Sequence, residues 1–255
     1  MKRYPLIRHR VGILTVFAAS LAVICIFLLT GNSGARAEEL PANTPSDQKV
    51  LASALPYLQQ NPDTVGWLKI GSIIDTPVVQ GEGEFYLHHN FYGQESSAGT
   101  VFLDEECSIS PKSEHMVLYG HNMKNGTMFG ELDRYRDLSY LKANPVITFD
   151  TLYEEGKYVV VAVYDISGET EDPHFMQMLR FDFVDNEDFM TFYFDARWKS
   201  YFKVPVDVQY GDKLLSLITC SYSLYDGRLI VMLRELRPDE DPQQVAALMQ
   251  SAVTK

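Results

Sequence analysis

The sequence predicts a mainly β domain, a barrel or a sandwich of short strands, placed behind one apolar N-terminal segment. Three observations predict it. Eight short runs rich in aliphatic, aromatic and β-branched residues lie at 65–70, 76–80, 100–104, 116–119, 146–151, 158–165, 214–219 and 229–236. Turn-forming stretches punctuate them: Asp75-Thr76-Pro77, Gly81-Glu82-Gly83, Glu155-Gly156, Tyr210-Gly211-Asp212 and Asp226-Gly227. Short strands at such spacing with turn chemistry between them are the pattern of a many-stranded sheet protein. Finally, the chain has 255 residues of which 46% are hydrophobic, enough for one domain with a sizeable core plus appendages. The net charge of −12 argues against a nucleic-acid partner, which calls for a basic stripe.

Residues 1–10 carry Lys2, Arg3, Arg8 and Arg10. Residues 11–30 form an uncharged run about long enough to cross a bilayer as a helix. Basic residues precede it and Glu38-Glu39 follow it, so the positive-inside rule places the N-terminus in the cytoplasm and the body outside. Ala35-Arg36-Ala37 resembles a signal-peptidase site, which makes a cleaved secretory signal the rival reading; the run exceeds a usual signal core, which favours an uncleaved, single-pass signal-anchor. Residues 31–45 are rich in Gly, Ala, Pro, Asn and Ser and read as a linker. The body spans 46–237. Its first element is a helix at 46–61, capped by Ser46 or Asp47, with Val50, Leu51, Ala54, Leu55 and Leu58 on one face and a kink at Pro56.

Two insertions between strands read as helical. Residues 131–143 give one or two short helices ending at Asn144-Pro145. Residues 186–202 place Phe189, Met190, Tyr193, Ala196 and Arg197 on one face with Trp198 nearby, a spacing that indicates core packing. Residues 238–255 form a tail: the charged breaker Pro238-Asp239-Glu240-Asp241-Pro242, then a short helix with Val245, Leu248 and Met249.

The chemistry concentrates at strand ends. The run 214–219 ends on Cys220, and the run 229–233 is opened by Arg228 across the Asp226-Gly227 turn, a dipeptide suited to positive φ. A thiol beside a fixed cation meets the needs of a thiolate nucleophile. Taken alone, Cys220 reads better as a small core residue and Arg228 as a surface charge. The stretch His115-Met116-Val117-Leu118-Tyr119-Gly120-His121-Asn122 changes that balance, because it breaks at Gly120 and delivers a histidine at another strand end. A thiol, an imidazole and a guanidinium together make a nucleophile, an acid/base and an oxyanion or substrate clamp.

Cys25 lies in the apolar segment, and Cys107 and Cys220 are far apart with no CxxC spacing, so no zinc site is expected; a Cys107–Cys220 disulfide stays open. Adjacent His88 and His89 point in different directions and share no metal. His115 and His174 read as surface residues. Glu82, Glu84 and the run Asp104-Glu105-Glu106 match no calcium loop and read as solvated charge. No metal and no cofactor are expected.

Tyr119-Gly120-His121-Asn122-Met123 with Thr127-Met128-Phe129-Gly130, joined to Leu217-Ile218-Thr219-Cys220 and Arg228, resembles the sortases, class B most closely, over residues 65–236. The resemblance implies an eight-stranded β-barrel with peripheral helices, the 186–202 insertion walling a substrate groove. It implies a cysteine transpeptidase that cleaves a Pro-x-Thr-type sorting signal of surface proteins after Thr. Cys220 would form a thioester, His121 would protonate the leaving amine and then serve as base, and Arg228 would donate hydrogen bonds to the oxyanion or to the substrate backbone. The acceptor would be an amine of the peptidoglycan cross-bridge; a pilin lysine is the alternative. Tyr119 and Ile218 stand two positions before His121 and Cys220, hence on the same strand faces, and with Ser221 they are the substrate-pocket candidates. No third acid is identified. An inactive membrane-tethered barrel that only binds a partner, and a cysteine protease using water in place of the amine, are the other readings. Membrane lipid is an expected partner of the N-terminal helix.

Overall fold

The computed structural model describes residues 48–168, 178–223 and 225–255. The expected N-terminal anchor, the linker, the caps at Ser46 and Asp47, Cys25 and His174 lie outside the described residues. Among the described residues no helix is long and apolar enough to cross a membrane.

Eight strands close a barrel. In chain order they are β1 (Thr64–Ile70), β2 (Ile74–Val79), β3 (Phe102–Leu103), β4 (His115–Tyr119), β5 (Val146–Thr151), β6 (Lys157–Ser167), β8 (Leu214–Ser221) and β9 (Gly227–Glu235), with a short β7 (Phe202–Lys203) between β6 and β8. Around the barrel the order is β1-β2-β3-β4-β8-β9-β6-β5, and β5 returns to β1. All eight predicted runs are the barrel strands, displaced by a few residues at their ends.

Two pairings position the site. β4 and β8 run parallel, from His115 opposite Leu214 to Tyr119 opposite Ile218. β8 and β9 are antiparallel, with Cys220 opposite Arg228. The C-terminal ends of β4 and β8 and the N-terminal end of β9 therefore share one rim.

The core follows from the apolar runs. β6 is buried almost throughout from Tyr158 to Tyr164 because both of its faces are covered. One cover is the helix Asn186–Lys199, called α3 here after α1 (Leu55–Gln60) and α2 (Leu138–Ala143). Asp185 caps α3 by accepting from the Asp188 N–H at 3.0 Å, and acidic residues open it while Arg197 and Lys199 close it, complementing the helix dipole. Its buried face is Phe189, Phe192, Tyr193 and Ala196. The sequence reading missed Phe192 and counted Arg197, which is exposed; Trp198 is 84% exposed. The 131–143 insertion contains a 3-10 turn, Leu132–Arg136, followed by α2.

Several expectations need correction. The helix expected at 46–61 is only Leu55–Gln60, and Pro56 lies in its first turn. A proline ring clashes with the carbonyl four residues back, so a helix can begin at Pro56 but not run through it. Asp104 is not part of a freely solvated run: Tyr119 Oη donates to its Oδ2 at 2.7 Å, and burial raises its pKa.

His115 is not a surface residue. It is fully buried against the Phe192 ring, with Nδ1 at 2.7 Å from the Arg180 carbonyl and Nε2 at 2.8 Å from Ser216 Oγ. The first strand position looked solvent-facing because the helix that covers it arrives from distant sequence.

The tail is part of the domain. α4 (Pro242–Leu248) is capped by Asp241, and Val245, Met249 and Ala252 join the core while Leu248 is exposed. β10 (Val253–Thr254) pairs with β7. The breaker before α4 holds a buried charge: Glu240 receives two hydrogen bonds from the fully buried Arg234 of β9, at 2.6 and 2.8 Å.

Two stability predictions follow from these groups. Removing one partner of a buried ion pair strands the other charge. Glu240→Ala is expected to cost about 3 kcal/mol in urea unfolding, whereas the same substitution at exposed Glu106 is expected to cost within about 0.5 kcal/mol. Burial lowers the His115 pKa to about 4, so between roughly pH 6.5 and 4 the unfolded chain takes up a proton that the folded chain excludes. Stability contributed by neutral His115 is present above pH 6.5 and is lost as pH falls; from pH 7 to 5 the loss is about 2 kcal/mol. Urea midpoints across that range should show this slope, and His115→Gln should flatten it.

Candidate active site

Cys220 is the last residue but one of β8, and its side chain is exposed. Both described cysteines are free: Cys107 is buried, and burial pushes its thiol pKa up to about 12. The disulfide left open by the sequence does not form.

His121 reaches the same rim because β4 stops at Tyr119 and the chain turns beside β8. The Gly120 N–H donates to the Ile218 carbonyl at 3.3 Å, continuing the parallel ladder, and Thr219 Oγ1 donates to the Gly120 carbonyl at 2.7 Å. Gly120 lies against the ring of Phe129; a Cβ there would come within 2.8 Å of the ring, so a side chain would push the histidine loop off the barrel. The His121 carbonyl accepts from the N–H groups of Met123 at 3.1 Å and Phe129 at 2.9 Å. Asn122 Nδ2 then donates to the Cys220 carbonyl at 2.8 Å. The residue after the histidine is thus bonded directly to the backbone of the cysteine.

The imidazole itself is oriented by main chain. Nε2 of His121 is 2.8 Å from the Leu87 carbonyl, which can only accept, so Nε2 carries a proton and Nδ1 is the nitrogen left to exchange one. Leu87 ends a 3-10 turn, Phe85–Leu87, whose Tyr86 hydroxyl donates to Asp63 at 2.7 Å and accepts from Asn61 Nδ2 at 2.8 Å. His88 lies beside His121 with ring centroids 6.5 Å apart, while His89 stacks on Phe85. The adjacent histidines diverge as expected.

Arg228 stands opposite Cys220 on β9 and is held by its own loop. Its Nη1 donates to the Asp226 carbonyl, Asp226 Oδ1 and the Gly227 carbonyl, each at 3.0 Å. Asp226 takes φ of +46°, so the left-handed position of the turn falls on the aspartate while Gly227 already belongs to β9. Gly168, after β6, completes the seat: its N–H donates to the Asp226 carbonyl at 2.6 Å, and a Cβ there would meet Asp226 O at 2.4 Å and Arg228 Cζ at 2.6 Å.

The other pocket candidates are placed differently. Ile218 lies two residues before Cys220 on the same face of β8 and is 2% exposed. Tyr119 is half-buried, its ring against Phe102 and its hydroxyl on Asp104. Ser221 falls on the opposite face of β8 from Cys220, is buried, and accepts from Arg136 Nη2 at 2.9 Å, so its hydroxyl is directed away from the sulfur's face. Tyr222 and Tyr225, both strongly exposed, follow in the β8–β9 loop. Asn122 and Leu87 were not singled out by sequence. Asn122 adjoins His121 in the motif, which was a usable signal; a backbone carbonyl leaves none.

The chain matches the family model "Sortase domain" over residues 68–235. It is similar to the sortase B of Listeria monocytogenes, 31% identical over 175 residues that make up 67% of this chain and 69% of that one. Among solved structures it is similar to Clostridium perfringens sortase B, with a TM-score of 0.66, 31% identity, and 72% of this chain and 99% of that chain covered. It is also similar to a Staphylococcus aureus sortase B–substrate complex, with a TM-score of 0.67, 27% identity and coverage of 74% and 87%.

The seat of Arg228 makes a local prediction. Gly168→Ala should displace the guanidinium while touching no side chain of the barrel core, lowering turnover about tenfold or more with a thermal midpoint lowered by only a few degrees. Steady-state turnover and a melting curve on the same sample check it.

Proposed function

Because this chain belongs to the sortase family, whose members are cysteine transpeptidases, we propose that it is an extracytoplasmic, membrane-anchored enzyme that joins surface proteins to the cell wall. The observation that carries this reading is the shared rim of β4, β8 and β9, where His121, Cys220 and Arg228 stand at adjoining strand ends. Residues 11–30 supply the anchor, with the basic residues before them on the cytoplasmic side.

In this mechanism the Cys220 thiolate attacks the carbonyl carbon of the Thr in a Pro-x-Thr-type sorting signal. The tetrahedral oxyanion is stabilised by Arg228, whose orientation is set by Asp226 and Gly227. His121 gives a proton to the departing amine, the C–N bond breaks, and a thioester to Cys220 remains. An amine of the peptidoglycan cross-bridge then attacks the thioester. His121 takes the proton from the incoming amine, and the sulfur leaves as thiolate. Two thioester steps replace one direct amide exchange. Of the two pocket candidates on these strands, half-buried Tyr119 has surface to offer the substrate, whereas Ile218 is 2% exposed.

The roles separate in a peptide assay. The purified full chain is incubated with a peptide panel varied around Pro-x-Thr and an amine acceptor, and products are identified by mass. Cleavage after Thr with transfer to the amine is expected. Cys220→Ala and His121→Ala should each abolish transfer. Arg228→Lys should leave a small residue of activity, because the charge stays but the planar fork is lost. Cleavage by Cys220→Ala would sink the mechanism, and release of free acid at saturating amine would make the enzyme a hydrolase.

A further inference from the structure

Arg136 closes the 3-10 turn Leu132–Arg136 and carried no signal in the sequence. Its guanidinium nevertheless bonds to the residue after Cys220 and, through Asp133, connects to the residue after His121. Nη2 donates to Asp165 Oδ1 of β6 at 2.7 Å and to Ser221 Oγ, the residue after Cys220, at 2.9 Å. Nη1 donates to the other oxygen of Asp165 and, at 2.8 Å, to Tyr201 Oη. Nε donates to Asp133 Oδ1 at 3.1 Å. The second oxygen of Asp133 accepts from Asn122 Nδ2 at 3.3 Å, and that same amide donates to the Cys220 carbonyl at 2.8 Å. The contacts form a closed ring. It leaves the Cys220–Ser221 segment at the Cys220 carbonyl, passes through Asn122, Asp133 and Arg136, and returns at the Ser221 hydroxyl.

We propose that Arg136, acting through Asn122 and Ser221, is a positioning residue that holds the sulfur of Cys220 and the imidazole of His121 in reactive register. The inference rests on the roles assigned above to those two residues. Three features make the ring suited to the task. Arg136 uses all three of its guanidinium nitrogens at once, which a lysine cannot do. Asp165 is its anchor: its side chain is 8% exposed, and although burial pushes its pKa up, hydrogen bonds from Arg136 and Tyr201 more than offset this, so the carboxylate stays charged. The attachment points are the residues immediately after His121 and after Cys220, so a shift at Arg136 moves both side chains relative to each other. A displacement of about 1 Å between reacting groups costs on the order of 100-fold in rate.

The test uses the full chain and three variants. Asn122→Ala removes the half-exposed amide and strands no charge. Arg136→Lys keeps the charge without the fork. The double variant Arg136→Met/Asp165→Asn removes both charges of the pair together, so the largely buried Asp165 is not left without its partner. Two readouts are taken: kcat and KM with the sorting peptide, and the pH dependence of iodoacetamide alkylation at Cys220, read by peptide mapping. The expected result is a fall in kcat of about tenfold or more with KM little changed. The pH-dependent alkylation profile should differ from that of the wild type, with Arg136→Lys lying between wild type and the double variant. Folded variants with wild-type kcat and a wild-type alkylation profile would overturn the proposal. So would a kcat loss that only tracks the unfolded fraction seen by circular dichroism. Should the Arg136 variants fail to fold, Asn122→Ala decides alone. If the wild-type chain does not process the peptide, the substrate assignment fails by itself, and the alkylation profiles still decide the positioning role.

Discussion

The parallel pairing of β4 with β8 is the constraint on which the rest of the site depends. An antiparallel neighbour would have sent the ends of the two strands to opposite rims, with Tyr119 and Ile218 apart. Run parallel, with Tyr119 opposite Ile218, both strands point to one edge, and two residues further along each stand His121 and Cys220. A parallel pair cannot be joined by a hairpin; it needs a long crossover. Here the crossover includes β5, β6 and α3. The segment that separates histidine from cysteine in sequence therefore also builds the far wall of the barrel and its helical cover. The antiparallel β8–β9 hairpin adds the arginine with little chain, because a strand end and the following strand start are neighbours by construction.

Buried polar groups reinforce the same geometry. His115 and Ser216 join the outer starts of β4 and β8, and the Arg136 ring joins their rim ends. Arg234 and Glu240 fasten β9 to the segment leading into α4. Each pair would be costly to leave half-made, so each penalises a slip of the strand that bears it. Thus the acidic chain places arginines where carboxylates meet, from the fully buried Arg234 to the partly exposed Arg136 and Arg237. Arg237, which binds Asp212 at 2.9 Å and Asp207 at 3.0 Å, repeats the pattern beside Arg234.

The strands were legible because they are short, apolar and bounded by turn residues. Each needs only local chemistry to declare itself. The errors share a cause. His115 looked exposed, Phe192 went unnoticed and Asp104 looked solvated because burial is decided by an element that arrives from elsewhere: α3 over His115, Tyr119 over Asp104. Pro56 was misjudged for a local reason, since its fixed φ and missing N–H suit the start of a helix better than its middle. Cys220, His121 and Arg228 were recognisable as residue types at strand ends. Ser221 was grouped with them by adjacency, but alternation along β8 turns it to the other face.

By itself the sequence determined the eight strands, the turn between Cys220 and Arg228, and which three side chains could perform thiol chemistry, because those depend on local pattern and on functional groups. Only the tertiary structure decided that β4 lies beside β8 in the same direction, that a backbone carbonyl at Leu87 sets the tautomer of His121, and that Arg136 is bonded to Ser221 and, through Asp133, to Asn122. Those outcomes turn on contacts between residues tens of positions apart, made by backbone atoms or by side chains with many alternative partners, and no spacing in the chain encodes which partner is met.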